Sequence, residues 1–144
     1  MPFGLVTAVI ADDHSLIRDG LRTLLEQIDG VRVCGEASDG LETLKLVKKV
    51  EPTLLTLDSQ MPKAKGMEVF GEVRRWSPAT KIVIVTGFTN AAQLSEWVAA
   101  KADGVFLKTC SPSEMKLGFE SVLSGDQYIS KAARKVIEER VMRP

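Results

Sequence analysis

The stretch TLLTLDSQMP, Thr53 to Pro62, is an apolar run of strand type that stops on a carboxylate, Asp58. It then passes into a polar turn closed by Pro62. A strand whose last residue is charged presents that charge at its carboxyl end, and in open α/β sheets that edge is where ligands bind. Three other runs end in the same manner. VIADD closes on Asp12 and Asp13, VIVT on Thr86, and GVFLK on Lys108. Three carboxylates, a hydroxyl and an ammonium are thereby expected along one sheet edge.

Working outward from that stretch, strand and helix patterns alternate. Val6 to Ala11 reads as a first strand. Leu16, Leu21, Leu24, Leu25 and Ile28 follow at three- and four-residue spacing, which predicts an amphipathic helix from about His14 to Gln27. Asp29-Gly30 breaks it, and Val31 to Ala37 is a second strand. Asp39 with Glu42 three residues on reads as a capping box opening a helix with Leu41, Leu44, Val47 and Val50. After the third strand and a turn over residues 59–65, Gly66 to Trp76 reads as a helix with Met67, Phe70 and Val73 inward. Lys81 to Thr86, Ala91 to Ala100 and Gly104 to Leu107 supply a strand, a helix and a short strand. Ser111-Pro112-Ser113-Glu114 is a strong helix start, and that helix runs to about Ser124.

Five strands alternating with five helices predict an α/β fold, a doubly wound, five-stranded parallel sheet covered on both faces. Residues 1–125 complete that domain. Residues 126–144, in which Tyr128 and Ile129 lead to a charged helical run with Ala133, Val136, Ile137 and Val141, read as an added linker helix or tail.

Composition narrows the function classes. The chain has 144 residues, enough for one domain with a real core. Lys plus Arg and Asp plus Glu each number 19, so it lacks the basic surplus usual in nucleic-acid-binding domains. Direct DNA binding is not expected. No apolar run approaches the ~20 residues that cross a bilayer, and a cytoplasmic location is expected. Cys34 and Cys110 have no metal-ligand spacing and read as reduced thiols in or near the core.

Crowded carboxylates repel one another unless something positive sits among them. Asp12, Asp13 and Asp58 therefore ask for a cation, and all-oxygen ligands suit a hard ion, Mg²⁺ or Mn²⁺. With Lys108 beside such an ion, an incoming phosphoryl group would be neutralised and Asp58 could act as the nucleophile. Each residue has a plainer reading. Asp12-Asp13 alone could cap the next helix, and strand-end Thr and Lys are common; the specificity lies in their combined order. His14, the single histidine, reads as a surface residue at a helix start. Trp76 and Trp97 read as helix-end, partner-facing residues, with an exposed Trp97 as a contact anchor.

From Val6 to about Ser124 the chain resembles a receiver domain of a two-component response regulator. The segments that carry the resemblance are ADDHSLIRDGL, LLTLDSQMPKAKGME, IVIVTG and ADGVFLKTCSPSE. The resemblance implies a flavodoxin-like (βα)5 fold with its strands in the order 2-1-3-4-5, and that Asp58 is the phosphoacceptor. It implies Mg²⁺ held by Asp13, Asp58 and the backbone carbonyl of Gln60, with Asp12 reaching it through water. Thr86 would be the switch hydroxyl and Lys108 the phosphate-pairing lysine. The donor would be a sensor histidine kinase or phosphotransfer protein, with homodimerisation on phosphorylation. The DDH start, the SPSE helix opening and the GDQYIS continuation are most similar to the NarL/LuxR (FixJ) type. That type places a DNA-binding helix-turn-helix domain after a linker, so of two alternatives, a natural stand-alone receiver and a fragment of a longer transcription regulator, the fragment is expected.

The departures from the family are specific. Val105 stands three positions before the lysine, where the family usually has an aromatic, and Phe106 falls on the opposite strand face. Thr109 replaces the frequent proline, and Ser59 and Gln60 replace apolar and basic residues. These motivate an alternative, a phosphate-independent pseudo-receiver acting as a protein-interaction module. A flavodoxin-like cofactor enzyme is disfavoured, because Asp-Asp-His after the first strand would repel a phosphate.

Overall fold

The computed structural model describes residues 3–87 and 90–141. The chain runs β1 (Val6–Ala11), α1 (Ser15–Glu26), β2 (Val31–Ala37), α2 (Gly40–Val50), β3 (Leu54–Asp58), β4 (Gln60–Met61) and β5 (Ala64–Lys65). It continues α3 (Gly66–Trp76), β6 (Lys81–Thr86), α4 (Ala91–Ala99), β7 (Gly104–Leu107), α5 (Pro112–Leu123), β8 (Tyr128–Ile129) and α6 (Lys131–Val141). The main sheet is ordered β2-β1-β3-β6-β7-β8, all parallel. Its first five strands reproduce the expected 2-1-3-4-5 order.

β3 is buried along its whole length, as a near-continuous apolar run in a central parallel strand should be. Period-two alternation then divides the core. Val9, Ala11, Leu55, Leu57, Ile82, Ile84, Val105 and Leu107 face a layer formed by α2, α3, α4 and Ala133 of α6. Ala8, Ile10, Leu54, Val83, Val85 and Phe106 face α1 and α5. Carried to the strand ends, the same parity puts Asp12, Asp58 and Lys108 toward α1 and α5. Ser59 and Thr86 fall toward α3 and α4.

Several expectations change. The sheet has six strands rather than five, because Tyr128–Ile129 pairs with Gly104 and Val105. The segment read as a tail is thus packed on the body: α6 lies against α4 and β7, and Ser130 and Ala133 are fully buried. Residues 142–144 of that tail, and the side chain of Val141, lie outside the described residues. The turn over 59–65 contains an antiparallel hairpin, Gln60 with Lys65 and Met61 with Ala64, its corner formed by Lys63 at φ 73. Leu16, Leu41 and Met67 are exposed rather than inward. Both cap readings hold at the backbone: Asp39 accepts from the Glu42 amide at 2.8 Å and Ser111 from the Glu114 amide at 3.2 Å. Cys34 is exposed, with its thiol directed at the Ala8 carbonyl, so it is not a core residue. Among the described residues no helix is long and apolar enough to cross a membrane.

Candidate functional site

Three parallel strands, β1, β3 and β7, deliver Asp12, Asp58 and Lys108 to one corner of the sheet. Asp12 and Asp58 are almost completely buried, at 1% and 4% exposure. Lys108 Nζ lies 3.0 Å from Asp12 Oδ2 and donates to Asp58 Oδ2 at 3.3 Å. Toward Asp12 the contact is an ion pair, and Oδ2 of Asp12 is buried with no other polar partner among the described residues. The Gln60 amide donates to Asp58 Oδ1 at 3.2 Å.

The loop after β1 is held by a device that the sequence reading missed. Arg18, one turn into α1, donates to the Asp12 carbonyl at 2.7 Å and to Glu36 at 2.9 Å. Arg22 bonds the same Glu36 through Nε and Nη2, and the two guanidiniums hold that carboxyl below its usual range. Asp12 does not serve as the plain helix cap. It accepts the His14 amide at 2.8 Å, while His14 occupies the N-cap position without a capping bond. The spacing of Arg18, four residues after His14, is the sequence signal that could have revealed it.

His14 is also closer to the chemistry than its surface reading allowed. Its side chain is 64% exposed, yet Nδ1 lies 3.1 Å from both Asp12 Oδ1 and Asp13 Oδ1. One ligand atom from each of Asp12, Asp13, His14 and Asp58 can be chosen so that all lie within 4.8 Å of one another. Mostly carboxylate donors at that spacing, one of them buried and short of a hydrogen bond, fit a hard divalent cation. A solvent-open cavity lined by Asp13, His14, Asp58, Ser59, Gln60, Gly87 and Lys108 leads to it.

Burial, and then the neighbouring Asp12 charge, push the Asp58 carboxyl up to about 6, against the help of the Gln60 amide and Lys108. Burial alone would lower the Lys108 ammonium, but the two carboxylates outweigh it and raise its affinity for the proton. Cys110, near the corner, is no rival nucleophile: burial and Glu114 push its thiol up to about 12.

Thr86 lies at the end of β6 with 1% exposure, and its Oγ1 is 2.6 Å from Ser59 Oγ. The Lys108 amide donates to the Thr86 carbonyl at 2.8 Å. Gly66 lets α3 begin against this loop, since a Cβ there would stand 2.6 Å from the Ser59 carbonyl oxygen. Val105 is fully buried beneath α4, and Phe106 is buried on the other face against Phe119 and Tyr128, as expected from strand parity. Trp97 is not an exposed anchor. It is 5% exposed, edge-on to Phe70 with ring centroids 5.5 Å apart, and only borders the groove beside the site. Its polar neighbours in the sequence concealed that it is, with Leu94, an inward residue of α4.

Comparison with known proteins agrees with this geometry. Residues 8–119 match the family described as response regulator receiver domain. The transcriptional regulatory protein YxjL of Bacillus subtilis is 32% identical over 93% of this chain and 62% of its own length. Response regulator UvrY of Escherichia coli is 32% identical over 88% of this chain and 58% of its own. The chain thus spans about three fifths of these relatives. A solved two-component response regulator of the LuxR family from Aurantimonas superposes with TM-score 0.89 at 28% identity, covering 97% of this chain and 100% of that one. The matched span includes Asp12, Asp58 and Lys108, and this chain belongs to the receiver-domain family of two-component response regulators, among relatives of the LuxR/NarL type.

Proposed function

We propose that Asp58 accepts a phosphoryl group from the phosphohistidine of a sensor kinase or phosphotransfer protein. One observation carries this reading: Lys108 spans the two buried carboxylates of Asp12 and Asp58 at the floor of an open cavity. An Asp58 oxygen attacks phosphorus, the P–N bond breaks, and its electron pair stays on the donor imidazole, which takes up a proton. The product is an acyl phosphate on Asp58. Asp13, Asp58 and the Gln60 backbone carbonyl would hold Mg²⁺, with Asp12 reaching it through water. Bound there, the ion would neutralise phosphoryl oxygens. Lys108 supplies the second positive charge, and Thr86 supplies a hydroxyl for a phosphoryl oxygen. No general base is needed, because at neutral pH a carboxyl of pKa about 6 is mostly ionised.

The domain is a switch that assists its own phosphorylation and hydrolysis rather than a metabolic enzyme. The added charge biases a two-state equilibrium of the loops after β3 and β6 and of α4. Residues 1–125 carry this chemistry. Residues 126–144 lead toward an output domain, a helix-turn-helix that binds DNA, with homodimerisation as the intervening step. On this reading the protein works in the cytoplasm, beside its kinase. Intact-mass analysis after treatment with phosphoramidate and Mg²⁺ tests it: wild type gains one phosphoryl group and Asp58→Asn none. Equal gain in both proteins would defeat the assignment, and no gain in either would favour a pseudo-receiver.

A further inference from the structure

We infer that Ser59 is a positioning residue that latches the Thr86 hydroxyl in its resting place, so that signalling must first break a hydroxyl–hydroxyl bond. The inference rests on the reading of Asp58 as phosphoacceptor and Thr86 as the responding hydroxyl.

Register creates the contact. β3 and β6 pair Leu57 with Ile84 and Asp58 with Val85, so one further step sets Ser59 beside Thr86. In parallel strands residues in register share a sheet face, which aims both hydroxyls toward α3 and α4, away from the face that holds Asp58, Asp12 and Lys108. The separation of 2.6 Å is short for two hydroxyls, and Thr86 is 1% exposed, so water competes weakly for this bond.

The backbone on both sides is fixed. The Lys108 amide holds the Thr86 carbonyl, and α3 abuts the Ser59 backbone at Gly66. The hydroxyl of Thr86 therefore moves by side-chain rotation, and a β-branched residue has few rotamers to choose from. One of those rotamers is bonded to Ser59, and another turns the hydroxyl to the phosphoryl group. Ser59 is half-buried and borders the open groove beside Gln60 and Met61, so its released hydroxyl can turn to water. The latch thus sets a threshold without blocking the switch. An apolar residue after the phosphoacceptor would provide no such bond.

Beryllium fluoride, a phosphoryl mimic, with Mg²⁺ on this 144-residue chain tests the inference, with binding measured by calorimetry. Ser59→Ala should bind it about fivefold tighter than wild type, the equivalent of one ordinary hydrogen bond lost from the resting state. Ser59→Thr, which keeps the hydroxyl, should stay near wild type. In a Thr86→Ala background the gain from Ser59→Ala should vanish. Unchanged or weaker binding by Ser59→Ala overturns the latch, as does the same gain without the Thr86 hydroxyl. Ser59→Thr behaving like Ser59→Ala overturns it too. Wild type that fails to bind beryllium fluoride at all refutes instead the phosphoacceptor reading beneath it.

Discussion

Lys108 and Asp58 stand fifty residues apart in the chain and 3.3 Å apart in space, the lysine donating to the carboxylate proposed as phosphoacceptor. Removing that ammonium separates two roles. Lys108→Ala leaves the acidic notch more negative, so Mg²⁺ should bind tighter. Phosphoryl uptake from phosphoramidate should nevertheless slow at least ~10-fold, because a charge needed in the transition state is missing. Calorimetry with Mg²⁺ and a phosphorylation time course read the two effects, and equal rates in variant and wild type would contradict them.

The raised Asp58 carboxyl predicts a pH-dependent stability in the chelated protein. Its pKa is about 6 in the fold and 3.8 in the reference chain. The folded state therefore holds that proton more tightly, and the contribution is fully present below about 3.8 and lost as pH rises through about 6. At pH 8 with chelator, Asp58→Asn should be more stable to denaturant than wild type, by about 3 kcal/mol. Millimolar Mg²⁺ should narrow the difference. A variant no more stable than wild type under chelation would count against buried carboxylate repulsion.

Glu114 ties the C-terminal segment to the body. Its Oε2 accepts from Tyr128 Oη and from the Lys131 amide, both at 2.8 Å. Burial raises its carboxyl, but these donors outweigh burial and hold it below the usual range. A lowered carboxyl contributes stability that is present above its ordinary 4.5 and lost as pH falls through the folded value. Glu114→Ala should cost about 1–3 kcal/mol locally. Faster hydrogen exchange should follow in residues 127–137 while β1 and β3 stay protected. Unchanged exchange there would show that α6 docks without this carboxylate.

Trp97 packs inward, and its truncation should reveal that. Trp97→Ala removes the edge contact to Phe70 and opens a cavity beneath α4, at a cost of about 3–5 kcal/mol. Denaturant unfolding measures it. A loss under about 1 kcal/mol is what an exposed, partner-facing tryptophan would give.

The alternation of strands and helices was legible because central parallel strands are apolar throughout and the helices around them are amphipathic. Asp12, Asp13, Asp58, Thr86 and Lys108 could be named because each stands at a strand end, where parity and position act together. What escaped was set by register or by short range. Tyr128–Ile129 is too short to show a period, and its pairing with β7, beside the stacking of Phe106 on Tyr128, joins segments distant in the chain. The hairpin of Gln60–Lys65 turns on a lysine at positive φ, which composition does not announce. Leu16, an apolar residue on a helix, was expected inward, yet it is 83% exposed. The Ser59–Thr86 bond and the grip of Arg18 on Asp12 require strands and helix already in place.

Trapping the phosphoryl group where it lands tests the central claim most directly. Wild-type protein treated with phosphoramidate and Mg²⁺ is reduced with borohydride, which converts an aspartyl phosphate to homoserine, and is then mapped by peptide mass spectrometry. Homoserine at position 58, formed with Mg²⁺ and lost under chelation, is the predicted result. Phosphate found on His14 instead, or no homoserine at position 58, would contradict it.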